Sequence, residues 1–180
     1  MSVTRTVRLD SDLDEALQRM AKQERVTVNS LVNRSLRKFV DWDSHAERFG
    51  MVTLPPALFM KLMERQSAEE ARELGRKTAQ DSARYAVESI FADFTLVNLL
   101  EFLRRMGQYG GRFRFEDNME GRRHVILIRH GMGLKWSSYY SGVLQGFLED
   151  GLGVKIETQV SPEVCLARFE IQATSEHNRQ

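Results

Sequence analysis

Thr4, Thr6 and Arg8 fall on alternate residues of the opening segment VTRTVRL, with Val3, Arg5, Val7 and Leu9 between them. In an extended chain this spacing places the threonines and Arg8 on one face and the valines on the other. A guanidinium offers a fork of donors that grips two acceptors at once, and a threonine carries a hydroxyl beside a methyl. Such a face can read base edges, or it can simply be solvated. A second polar corner lies at Thr27, Val28 and Asn29, where Thr27 suits the cap of a helix whose first N–H groups attract an anion. A third group gathers late in the chain: His130, then Trp136, Tyr139 and Tyr140 beyond Gly131 and Gly133. Three aromatic rings beside a histidine can line a mainly apolar pocket. They can equally pack a helix on a sheet or form a subunit interface.

Periodicity predicts the elements that position these groups. Val3 to Leu9 alternates as a short strand, with Val7 and Leu9 seeking a core. Asp10 or Ser11 offers a cap for a helix reaching about Glu24 or Arg25, its first turn enriched in acids, with Leu13, Ala16, Leu17 and Met20 as one stripe. A second helix follows from Thr27, with Val28, Leu31, Val32, Leu36, Phe39 and Val40 as its apolar face. Between Val26 and Val40 no acidic residue occurs. Strand and second helix are therefore basic and the first helix acidic.

One short strand cannot bury its own edges, and about forty residues lack the mass for an independent core. Dimerisation solves both problems, two strands pairing antiparallel as a ribbon over four helices. Residues 3–42, TRTVRLDSDLDEALQRMAKQERVTVNSLVNRSLRKFV with its flanks, resemble a ribbon-helix-helix DNA-binding domain of the Arc and MetJ type. The resemblance implies an obligate dimer whose ribbon enters the major groove. Thr4, Thr6 and Arg8 would contact bases. Thr27, Val28 and Asn29 would hold a phosphate at the start of the second helix. Arg5 departs from the family pattern, which has an apolar residue there, and would reach a phosphate from the ribbon end.

The remaining chain reads as an α+β domain of helices packed on an antiparallel sheet. Residues 42–50 break the apolar pattern, as a hinge or frayed helix end. Met51 to Leu54 reads as a short strand, and Pro55 and Pro56 start a helix. Ser67 to Glu70 outlines a capping box before a long helix to about Ala92, rich in small residues that permit close helix approach. Leu96 to Met106 forms a further helix, ended by Gly107. Arg112 to Phe115 alternates, and His124 to His130 is apolar on both faces, as a central strand is. The two form a hairpin through residues 117–121. Leu134 to Glu149 is helical, and strands at 154–160 and 164–171 turn at Ser161-Pro162.

No P-loop or dinucleotide fingerprint occurs, and Ser137, Ser138 and Ser141 have no accompanying His–Asp signature, so no enzymatic activity is expected. His124 and His130 stand about 20 Å apart along a strand and cannot share one metal, so no metal site is expected. The lone Cys165 excludes an internal disulfide. It falls in phase with Phe169 and Ile171, as a core residue does. The 26 basic and 25 acidic residues give a formal charge of +1, so nucleic-acid binding must rest on local charge placement. Neither a secretory signal nor an apolar run near 20 residues is seen, and a cytoplasmic location is expected.

Residues 53–172 also resemble, more loosely, the 4-vinyl-reductase-type ligand-binding domain whose relatives occur in TRAPP subunits. The resemblance is carried by Tyr140, Gly142, Gly146, Glu157, Cys165 and Phe169 in YYSGVLQGFLEDGLGVKIETQVSPEVCLARFEI. It implies either sensing of a small apolar or aromatic effector, with His130, Trp136, Tyr139 and Tyr140 around it, or assembly. The family's Cys-rich zinc site is missing here. The expected organisation is a ribbon-helix-helix domain at 1–43, a linker at 44–52, a sensing or oligomerisation domain at 53–173 and a polar tail at 174–180. The expected function is a transcriptional regulator without a resident cofactor. Its partners would be double-stranded DNA and a second copy, with a tetramer as a further option through the rear domain. An antitoxin or scaffold binding a protein partner is the alternative.

Overall fold

The computed structural model describes residues 3–171, so the tail expected at 174–180 lies outside the described residues. The chain is α+β and divides into two units, at Arg48 and Phe49. Among the described residues, no helix is long and apolar enough to cross a membrane.

The first unit is helical. Helix α1 (Ser11–Glu24) follows Asp10, which has an extended backbone but makes no side-chain cap. Helix α1 ends on Arg25 in the left-handed region (φ 56°), its N–H bonded to the Ala21 carbonyl. Helix α2 (Val28–Lys38) starts at Thr27, whose side chain accepts from the Ser30 N–H. A π-helical turn at Phe39–Asp43 carries the chain straight into α3 (Ser44–Arg48). The expected linker at 44–52 is therefore partly helical. The pattern breaks there because, of residues 42–48, only Trp42 is buried. The first left-handed residue after α2 is Gly50 (φ 62°). Val3 to Leu9, expected as a strand, forms none in the single chain, and each of its side chains is exposed. The physical reason is plain: this unit holds only helices, and a strand needs a partner.

In the second unit, the strand expected at 51–54 is absent, and α4 (Pro56–Glu64) begins at the prolines. Helix α5 (Ala68–Thr78) opens on a complete capping box: Ser67 accepts from the Glu70 N–H, and the Glu70 carboxylate accepts from the Ser67 N–H. A π turn at Ala79–Ala83 joins α5 to α6 (Arg84–Phe91). Helix α7 (Leu96–Gly110) runs through Gly107 and stops at Gly111 (φ 66°). Gly107 is a close-approach site instead of a terminator, since a Cβ there would lie 3.1 Å from Phe115 Cβ.

Strands β1 (Arg114–Glu120) and β2 (Arg123–Arg129) form a hairpin whose turn is only Gly121-Arg122, tighter than the expected 117–121. Gly121 supplies the required positive φ (63°). Helix α8 (Leu134–Gln145) and a π turn at Gly146–Gly151 lead to β3 (Glu157–Val160) and β4 (Val164–Glu170). Strand β3 is shorter than expected because its pairing with β4 begins only at Glu157, opposite Arg168, and residues 154–156 lie outside the ladder. The antiparallel order is β1-β2-β4-β3, with β2 and β4 central. Ile126, Ile128, Cys165, Ala167 and Phe169 point into the core, with Ile171 exposed beyond them.

The tightest contact is helix on helix. A Cβ on Gly75 of α5 would collide with the Tyr139 carbonyl of α8, and a Cβ on Gly142 of α8 would collide with the Arg72 carbonyl of α5. One turn on, a Cβ at Gly146 would lie 2.7 Å from Ala79 Cβ. The small residues of the long helix thus allow backbone to lie on backbone. Arg76 closes the crossing with two bonds to the Asp150 carboxylate (2.6 and 2.5 Å), to which Gln80 also donates (2.8 Å). Replacing Gly142 by Ala forces the helices apart and should cost about 3 kcal/mol, the upper part of the overpacking range. Ser82→Ala, on an exposed position, should stay within about 0.5 kcal/mol. Urea denaturation of the two variants checks both values.

Candidate nucleic-acid interface

In the arm at 3–10, Thr4, Thr6 and Arg8 are exposed, as is Arg5. Val3 and Val7 are 76% and 69% exposed, so the face expected to seek a core has none within its own chain. Leu13 and Met20 of α1 and Leu36, Phe39 and Val40 around the end of α2 are likewise exposed. Among the described apolar residues of this unit, only Ala21, Leu31 and Trp42 are buried. The amphipathic stripes are present, but one copy does not cover them.

At the second corner the Thr27 Oγ1 accepts from the Ser30 N–H at 3.1 Å, with the two hydroxyls 3.0 Å apart. That satisfies the third N–H of the helix and leaves those of Val28 and Asn29 without an intrahelical acceptor. Asn33 donates to both the carbonyl (2.9 Å) and the side-chain oxygen (3.1 Å) of Asn29. What the corner offers an anion is therefore backbone N–H together with the helix dipole. The α1 acid Glu24 pairs with Arg34 at 2.7 Å, and Lys38 pairs with Asp43 at 3.3 Å. Arg5, Arg8, Arg25 and Arg37 are exposed.

The third group does assemble, as a cluster of rings. Trp136 stacks on Phe59 of α4 (centroids 4.7 Å, 14°), and Tyr139 and Tyr140 meet edge to face (5.5 Å). Tyr140 also meets Phe113 (5.3 Å) and His130 (5.3 Å). The Arg112 guanidinium lies over the Phe59 ring, 4.2 Å from its centroid. Burial raises the pKa of both tyrosines, so their hydroxyls stay protonated. Two cavities are described in this unit. One is an open groove of about 900 Å³ at the end of the sheet, lined in part by Lys155, Arg168 and Phe169; the other, of about 120 Å³, lies between the π turns. None of the four residues lines either cavity.

Sequence spacing missed a contact between His130 and Ser137. His130 Nε2 lies 2.8 Å from Ser137 Oγ, and Ser137 Oγ donates to the Ser161 carbonyl at 2.5 Å. The Met132 N–H donates to His130 Nδ1 at 3.0 Å, which fixes the neutral ring with its proton on Nε2. The imidazole therefore donates to the hydroxyl, the opposite of what a base activating a nucleophile would do. The chain of bonds clamps the loop after β2 to the β3–β4 turn. His130 and Gly133 N–H groups reinforce it by donating to the Glu163 and Pro162 carbonyls. The pair joins the residue just past β2 to a serine in the first turn of α8, a proximity that residue spacing does not carry.

His124 is buried elsewhere, its Nδ1 2.9 Å from Asp117 Oδ1 and its ring parallel to Phe169 (4.9 Å). Burial pushes the Cys165 thiol up to about 12, which removes it as a nucleophile. Among the described residues, no group of three His, Cys, Asp or Glu could hold a metal ion.

Burial holds the folded-state pKa of His130 at about 4 against an ordinary 6.5. Between those values the unfolded chain binds the extra proton, so stability is fully present above pH 6.5 and declines as pH falls toward 4. Denaturant midpoints of the second unit should drop across this interval, and His130→Asn should flatten that part of the slope. No family model, curated protein or solved structure matches this chain.

Proposed function

We propose that this chain is a dimeric, sequence-selective DNA-binding transcriptional regulator of ribbon-helix-helix type. The observation that carries this reading is the arm at 3–10, where an alternating Thr/Arg and Val segment stands exposed beside helices whose apolar stripes are uncovered. A second copy supplies what is missing: a strand to pair with, and an apolar surface to bury. Pairing turns Val7 and Leu9 toward the helices and leaves Thr4, Thr6 and Arg8 outward. The capped corner at Thr27, Val28 and Asn29, with Arg5 at the arm, then grips phosphates on either side.

The second unit serves either to sense a small apolar or aromatic effector or to join subunits. The ring cluster around Trp136 is filled by Phe59, Phe113 and the tyrosines themselves, which supports a packed interior at this point over an effector pocket.

Arg8→Ala should keep the dimer and its helicity but lose about 1–3 kcal/mol of preference for the selected site over scrambled DNA. Thr27→Ala should instead weaken binding to all sequences alike, with about 1 kcal/mol lost from the helix cap. A site is first selected from a random duplex pool, and fluorescence anisotropy then compares the variants on it. Absence of binding by the intact chain to any duplex at low salt would favour the antitoxin or scaffold reading.

A further inference from the structure

We propose that the open face of the β-sheet is a contact between the second units of two copies of this chain. The helices of this unit cover one face of the sheet, and the burial pattern of β4 alternates accordingly, with Cys165, Ala167 and Phe169 buried. A sheet with one covered face ordinarily turns polar residues outward. Here the two central strands turn Val125, Leu127, Val164 and Leu166 outward, with Leu127 directly opposite Leu166. These four form a contiguous apolar centre that is only half-buried.

The charged residues around this centre hold one another aside instead of folding over it. Arg129 bonds Glu116 of β1 at 3.1 Å, and Arg123 bonds Glu170 of β4 at 3.3 Å. Arg168 stands across from Glu157 and donates to Gln159 at 3.0 Å. Arg114 and Glu120 mark the two ends of β1. Arg114, Arg123, Arg129 and Arg168 on this face are balanced in number by Glu116, Glu120, Glu157 and Glu170. A face without net charge repels neither itself nor another neutral face, whereas phosphate backbones and anionic lipid surfaces call for an excess of cations.

Size selects the partner. Three strands of seven residues and one of four, about 4.8 Å apart and rising about 3.3 Å per residue, give roughly 400 Å². That is about half of the ~800 Å² per partner that a stable, freely diffusing complex buries. A contact this small forms only with a partner already held nearby, at an effective concentration in the millimolar range. Pairing of the N-terminal arms provides that condition, so the inference rests on the dimer reading above.

The test uses the full-length chain. Leu127→Cys places a thiol at the centre of the face, while the native Cys165 is buried. Val97→Cys, at a position 76% exposed on α7, serves as the reference. A bis-maleimide of about 10 Å reach, two to three residues of extended chain, is added to each variant, and sedimentation velocity gives its oligomeric state. The expected result is a dimer in which the Leu127→Cys variant cross-links at least tenfold faster than the Val97→Cys variant, at a rate independent of protein concentration. Leu166→Cys repeats the measurement from the neighbouring strand should Leu127→Cys fold poorly. A dimer whose central thiols cross-link no faster than the reference overturns the sheet contact and leaves the arm pairing intact. A chain that sediments as a monomer overturns the arm pairing, and the sheet contact with it.

Discussion

The second unit depends on one constraint, the backbone-to-backbone approach of α5 and α8 at Gly75 and Gly142. Dispersion falls steeply with separation, so helices this close gain packing that side chains would otherwise prevent. The crossing fixes where α8 lies, and α8 in turn carries the buried serines that tie it to the sheet. Ser141 donates to Thr158 of β3 at 2.9 Å, and Ser137 donates to the Ser161 carbonyl. Buried hydroxyls are tolerable only with such partners. The order of the sheet, the ring cluster and the clamp around His130 all follow from the placement of this one helix.

The first unit is organised on the opposite principle. Its helices are specified locally, by the Thr27 cap and by acids at the start of α1, and not by a core. Burial of only Ala21, Leu31 and Trp42 leaves little hydrophobic stabilisation in a single copy. In the proposed dimer, folding and association of this unit would be one equilibrium, and its order would depend on concentration.

Local chemistry made much of this legible in the sequence. The Ser67 capping box, the helix start at the prolines and the central strand at 124–130 all follow from side-chain type and period. Other features follow from tertiary distance, which sequence does not carry. Gly107 has the local mark of a helix stop, yet it is glycine because Phe115 lies against it. The π turns at 39–43, 79–83 and 146–151 leave no period of their own, and residues 154–156 leave the sheet despite alternating. In the candidate interface, the polar corner at Thr27 could be read because capping is local. The His130–Ser137 bond could not, because it needs the loop after β2 folded back onto the β3–β4 turn.

Cys165 gives the molecule a chemical asymmetry between its closed and open states. Its side chain is fully buried on the inner face of β4, and its thiol is far from ionising at neutral pH. It is the thiolate that attacks peroxides and disulfides, so oxidative damage is withheld for as long as the core stays shut. Once the sheet opens, the thiol returns to its ordinary acidity in water and becomes a site for irreversible modification. Redox stress would then remove open molecules selectively and spare folded ones, making the residue a kinetic trap on the unfolding path of this unit.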